Sequence, residues 1–278
     1  MMKRHQSGLL VAALCAAVAV AAGALYAAPQ AGTAAATAAV ARPTPRTADG
    51  HPDLSGMWYR RVAGPLTRRV GKSIVLAPRG GEGAAARIPT YNPGTPKYKP
   101  QFLATVKELK DDQINADPSF HCGPPGLPRI GAPQRIVQTA REVVILYDDL
   151  NGNYFRVIPT DGRKHRTGVE PSSLGDSVGR WEGETLVIEA TNLLDDTWLG
   201  DNGLLHSADV RVTERLTRQG DTLKWEATVE DPEFLVEPWK VTPRTLTLMA
   251  NAEIDEAAFC EDRGVADRAT KDYHGNVR

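Results

Sequence analysis

The chain has 278 residues, with 33 Lys and Arg against 34 Asp and Glu and a formal charge of −1. Aromatic residues make up 6% of it, and no basic patch interleaves with aromatics, which disfavours nucleic-acid binding. The apolar run Leu9–Ala22 is short for a membrane span, and no second segment is apolar enough to form one.

Lys3 and Arg4 followed by Leu9–Ala22 and a small-residue stretch predict a signal peptide over 1–28. Ala22-Gly23-Ala24 and Leu25-Tyr26-Ala27 are both usable cleavage motifs; a retained N-terminal anchor is the alternative. Cleavage removes two basic groups and no acids, taking the formal charge from −1 to −3. The Ala/Thr/Pro-rich segment 29–46 has little to pack and reads as a disordered linker. The mature protein is therefore expected in the periplasm or secreted, with no membrane span after cleavage. Cys15 leaves with the leader, so Cys122 and Cys260 remain as an even pair in an oxidising compartment, and a disulfide is the leading reading. A loop that long would stabilise by about 4–5 kcal/mol on chain-entropy grounds. A reactive thiol is the alternative.

Residues 47–134 are rich in Gly, Pro and charge. They predict a first strand within His51–Arg60, a short helix over Thr105–Ile114 and a rigid covering loop over Pro118–Pro128. From Arg135 the pattern changes to β-branched runs. Strands are predicted at Arg135–Thr139, Glu142–Tyr147, Tyr154–Pro159, Asp176–Trp181, Thr185–Thr191, Ser207–Arg218, Thr222–Glu230 and Trp239–Met249, joined mainly by short turns. This is the pattern of an all-β antiparallel meander. A meander of that length rolls up to remove its edges, giving a lipocalin-like or calycin-like barrel over 135–278 with 47–134 wrapped around one end. A β-sandwich is the alternative architecture. About 230 residues beyond the linker suffice for one such domain.

One strand carries a polar residue where the pattern asks for an apolar one. His206, Ala208, Val210, Val212, Glu214 and Leu216 share a parity, while Asp209, Arg211, Thr213, Arg215 and Thr217 share the other. Alternate strand side chains face opposite ways, so Glu214 is predicted to point into the barrel. A buried carboxylate gains a partner or a raised pKa, which makes it either a pocket group or a structural salt bridge. Arg180 is the expected partner in the structural case, across neighbouring strands.

Gly56-Met57-Trp58 resembles the GxW signature that opens the first strand of lipocalins, where the Trp closes the barrel base. A longer resemblance runs through His51-Pro52-Asp53-Leu54-Ser55-Gly56-Met57-Trp58, Asp161-Gly162-Arg163-Lys164-His165 and Gly175-Asp176-Ser177-Val178-Gly179-Arg180-Trp181-Glu182-Gly183-Glu184-Thr185-Leu186-Val187. It extends to Thr197-Trp198, His206-Ser207, Thr213-Glu214-Arg215, and Asp231-Pro232 through Pro238-Trp239. These segments are similar to a group of secreted bacterial proteins with a GDSxGRWEGxTLV motif. The resemblance implies secretion and a shared fold, and no activity. Arg166 departs from it, since a proline is expected after the histidine.

The sequence supports three functional readings. The first is a cofactor-independent acid–base enzyme of the lyase, isomerase or hydratase type acting on a small organic substrate. Glu214 and His206 would be acid and base, Asp176 would orient or share a proton, and Arg180 would stabilise negative charge. Trp181 and Trp198 would wall the substrate, with Asp161, His165 and Asp196 as further contacts. The second is a binding protein for a small apolar ligand in the same pocket. The third is an envelope interaction protein, whose oligomeric state the sequence leaves open. No cofactor or metal is expected: GxSxG, GxGxxG, P-loop and HExxH spacings are absent, and no βαβ alternation is present.

Overall fold

Most of the period-two alternation read from the sequence becomes strand, within eleven strands among the described residues. In the computed structural model, which describes residues 42–59, 67–70, 73–76, 93–149, 151–249 and 252–254, these are β1 (Gly56–Tyr59), β2 (Thr67–Val70), β3 (Ser73–Leu76), β4 (Arg135–Gln138), β5 (Glu142–Asp149), β6 (Gly152–Pro159), β7 (Asp176–Glu182), β8 (Thr185–Thr191), β9 (Arg211–Gln219), β10 (Thr222–Glu230) and β11 (Trp239–Leu248). Two short helices, α1 (Leu103–Asp111) and α2 (Gln113–Ala116), lie in the covering region. They overlap the predicted helix, with Asp112 breaking it in two. Strands β2 and β3, which the sequence reading did not predict, pair with one another. All described residues belong to one unit, Ala41–Arg278. The predicted signal peptide, most of the linker and Cys260 lie outside the described residues.

Nine strands form one sheet in the order β6-β5-β4-β1-β11-β10-β9-β8-β7, and every pairing in it is antiparallel. The sheet curls into a nearly closed barrel, as the meander predicted. Its two end strands follow one another in sequence. Eight antiparallel steps separate them, so β6 and β7 run in the same direction. A parallel ladder requires a long crossover rather than a hairpin, and Thr160–Gly175 is that crossover. No backbone pairing joins β6 to β7 among the described residues. The sheet closes there through side chains, which gives the barrel a seam.

The core lies inside the barrel. In β10, Leu223, Trp225, Ala227 and Val229 are buried, and in β9, Val212, Glu214, Leu216 and Arg218. Each large apolar side chain so enclosed contributes about 1.5–3 kcal/mol. Pro243 sits within β11, where a donor is missing from the ladder. It is accommodated where the register with β10 slips by one residue, between Trp225↔Arg244 and Ala227↔Val241.

The N-terminal segment closes one end. Trp58 is fully buried and donates from its indole nitrogen to the Leu54 carbonyl at 2.8 Å. The Arg218 guanidinium lies 5.1 Å from the Trp58 ring centre and donates to the Asp53 and Gly220 carbonyls. That packing explains why a cation is buried at the end of β9. His51 stacks flat on Trp181, centroids 4.5 Å apart, so the His51–Trp58 and Gly175–Val187 motifs meet.

One predicted boundary is corrected. Strand β9 begins at Arg211, not at Ser207. The Asp231 carboxylate accepts from both the backbone N–H and the hydroxyl of Ser207, and Val210 donates back to the Ser207 carbonyl, so Ser207–Val210 turns instead of extending. The parity that linked His206 to Glu214 therefore does not reach His206.

Candidate functional site

Glu214 points into the barrel, 1% exposed, as its parity predicts. Its partner is Arg156 of β6, not Arg180. Arg156 is buried at the strand edge and pairs with Glu214 Oε2 through Nη1, which also donates to the Tyr147 hydroxyl at 3.0 Å. The Trp225 indole donates to Glu214 Oε1 at 2.9 Å. Burial opposes the charge on Arg156, but Glu214 and Tyr147 outweigh it and hold its proton more tightly than in water. Burial also pushes the Tyr147 hydroxyl up, keeping it neutral.

Arg180 lies on the outer face, paired with Glu182, whose other oxygen takes Arg215. The register explains this. Gly179, Ile188 and Glu214 lie side by side across β7, β8 and β9, so Ser177, Gly179 and Trp181 share the inward face and Arg180 the opposite one.

Asp176 and His165 come together. Asp176 accepts from the Arg166 backbone and guanidinium, and His165 Nδ1 lies 2.8 Å from its Oδ2. Burial works against ionisation of Asp176, but these hydrogen bonds prevail and hold it below the usual carboxylate range. The other ring nitrogen of His165 lies 3.1 Å from Glu189, which also accepts from Arg211. Arg166, the residue out of pattern with the resemblance, is thus the clamp that fixes the crossover onto β7.

His206 is buried between the Thr197 hydroxyl and the Ser207 carbonyl, with no hydrogen bond to Glu214. Burial lowers its pKa, leaving the neutral imidazole favoured. Trp198 is buried beneath Arg129, which bridges Asp117 and Asp201. Asp196 is exposed, and Asp161 is held between Arg141 and Arg163. The predicted site residues therefore fall into separate places: Glu214 inside, Asp176 and His165 at the crossover, His206 and Trp198 under the covering region, Arg180 outside.

A cleft of about 370 Å³ opens along the seam, where β6 and β7 do not pair. Its apolar walls include Phe155, Val157, Leu174 and Val178, and its polar lining includes Arg156, Asp176 and Ser177, with Lys164 and Arg166 from the crossover. Phe155 and Val157 are 66% and 46% exposed. Along the seam, Gly179 packs against β6: a Cβ there would lie 3.0 Å from both Ile158 Cγ2 and Thr160 Cγ2. Gly175 is needed at the start of β7, where its φ is +68° and a Cβ would strike the Thr191 carbonyl. Gly175, Asp176, Ser177 and Gly179 of the Gly175–Val187 motif thus build this seam.

Sequence reasoning missed Arg156. The signal was available in the parity of Tyr154, Arg156 and Ile158, but Phe155 and Val157 on the other face are apolar and mask it. Among the described residues no group of three or more His, Cys, Asp or Glu side chains converges as metal ligands, and no helix is long and apolar enough to cross a membrane. Comparison with protein-family models, curated proteins and solved structures yields no match to this chain.

Proposed function

We propose that this is a secreted binding protein that holds a small, largely apolar organic molecule in the seam cleft. The observation that carries the reading is the cleft itself. Ligand sites are concave, mostly apolar and furnished with a few convergent polar groups, and the seam joins exposed Phe155 and Val157 to the buried polar pair Arg156 and Ser177. Binding ranks ahead of acid–base chemistry because Glu214 is already engaged by Arg156 and Trp225. The proposed disulfide between Cys122 and Cys260 belongs to the same extracytoplasmic reading.

Titration of the full chain with the neutral fluorophore 1-aminoanthracene tests it. Saturable fluorescence enhancement, weakened in Phe155→Ser and Val157→Ser and displaced by decanol, is expected. Enhancement unaffected by both substitutions would contradict the seam as the site.

A second reading, an acid–base enzyme of the lyase, isomerase or hydratase type, is favoured by one observation: Asp176 lines the cleft with His165 on its carboxylate. Its depressed pKa makes it a weak base. Turnover of any cleft ligand that is lost in Asp176→Asn, with binding retained, would support this reading over simple carriage.

A further inference from the structure

The cleft has more hydrogen-bond donors than its own acceptors use. Ser177 is buried, and its Oγ accepts twice from Arg156, from Nε at 3.3 Å and from Nη2 at 2.9 Å. Its hydroxyl hydrogen is therefore left to donate, and it meets no acceptor among the described residues. Arg156 has five N–H groups. Nε and one Nη2 hydrogen go to Ser177, and the two on Nη1 go to Tyr147 and Glu214. One Nη2 hydrogen remains without an acceptor among the described residues. Both residues line the cleft. Buried donors of this kind find a partner, and here the partner must bring acceptor lone pairs.

Charge points the same way. Of the cations lining the cleft, Arg156 is matched by Glu214, Arg163 by Asp161 and Arg166 by Asp176. Lys164 forms no ion pair among the described residues, although it lines the same cleft. Lys164 is thus the cleft-lining cation that no carboxylate pairs among the described residues, and the walls formed by Phe155, Val157 and Leu174 are apolar.

We infer that the ligand is an amphipathic monocarboxylate, its head taken by the Ser177 hydroxyl and the spare Nη2 hydrogen of Arg156, with Lys164 at the mouth and the apolar body along Phe155 and Val157. A carboxylate supplies two acceptor oxygens in one plane, matching two donors on neighbouring strands. A single charge suits the single unmatched lysine. The inference rests on the seam cleft being a ligand site, and it names the class of molecule held there.

Isothermal titration of the full chain with decanoate, decanol and acetate, below the concentration at which decanoate forms micelles, separates the two levels of the reading. Decanoate is expected to bind about tenfold or more tighter than decanol, and acetate weakly. Lys164→Met, an exposed substitution with no partner to lose, should reduce that preference several-fold. Ser177→Ala should reduce it further, with circular dichroism confirming the fold. Equal binding of decanoate and decanol would overturn the carboxylate while leaving the cleft reading intact. A preference unchanged in both variants would overturn it too, by putting the carboxylate elsewhere. No binding of either ten-carbon probe would overturn the cleft reading itself, and the inference with it.

Discussion

Arg156 on β6 reaches Ser177 on β7, Nη2 to Oγ at 2.9 Å, across a junction of the barrel where no backbone ladder runs among the described residues. Nine strands joined antiparallel bring the end strands together in parallel, and side chains hold what the backbone does not. From Ser177 the same guanidinium extends to Glu214 and Tyr147 inside the barrel, so the seam and the core share one polar network.

Removing the counter-charge should be costly. Glu214→Gln leaves the Arg156 guanidinium buried without compensation, and breaking a buried pair from one side costs about 3–5 kcal/mol. Adding Arg156→Met should recover part of that loss, because no unpaired charge then remains. Urea unfolding of the two variants checks this, and a double variant less stable than Glu214→Gln contradicts it.

The seam should be sensitive to volume at one position. Gly179→Ala pushes a methyl against Ile158 and Thr160 and should cost about 1–3 kcal/mol. Its neighbour Arg180, on the solvent face beside Glu182, should change stability by no more than about 0.5 kcal/mol when replaced by Ala. Thermal unfolding of both variants compares the two faces of β7 directly.

His206 should give stability a dependence on mild acid. Its folded pKa is depressed by burial, so as pH falls below about 6.5 the unfolded chain takes up a proton before the folded one does. Stability therefore rises with pH through that window and is lost on acidification toward the lower folded value. The urea midpoint should fall between about pH 7.5 and about pH 5, and His206→Asn should flatten that slope. The carboxylates Asp117, Asp176 and Glu189, all depressed, act lower on the scale: their contribution is present above the ordinary carboxylate range and is lost below it.

The stack of His51 on Trp181 should hold the N-terminal segment in place. Trp181→Ala removes about 0.5–1.5 kcal/mol of ring–ring attraction beyond the area it uncovers. Limited proteolysis should then cut faster within Arg42–Pro52, while cleavage elsewhere among the described residues keeps its wild-type rate.

Most strands were legible because their signal is local. Leu223, Trp225, Ala227 and Val229 state their own face by alternation, and Glu214 declared itself as the exception on its neighbour. The start of β9 was misplaced because Ser207 is diverted by Asp231, a residue on the far side of β10. Arg180 was expected to pair with Glu214 across neighbouring strands, but β8 separates β7 from β9. The parity of Arg180 within Asp176–Glu182 sends it outward, and that parity depends on the register with β8.

By itself the sequence determined most of the barrel strands, the inward turn of Glu214 and the β-barrel class, since period-two patterning acts between residues a few positions apart. Only the tertiary structure decided that Arg156 meets Glu214 and that a cleft opens between β6 and β7. Both depend on how the nine-stranded sheet closes, bringing β6 beside β7 with no ladder between them, a relation that no single segment of the chain encodes.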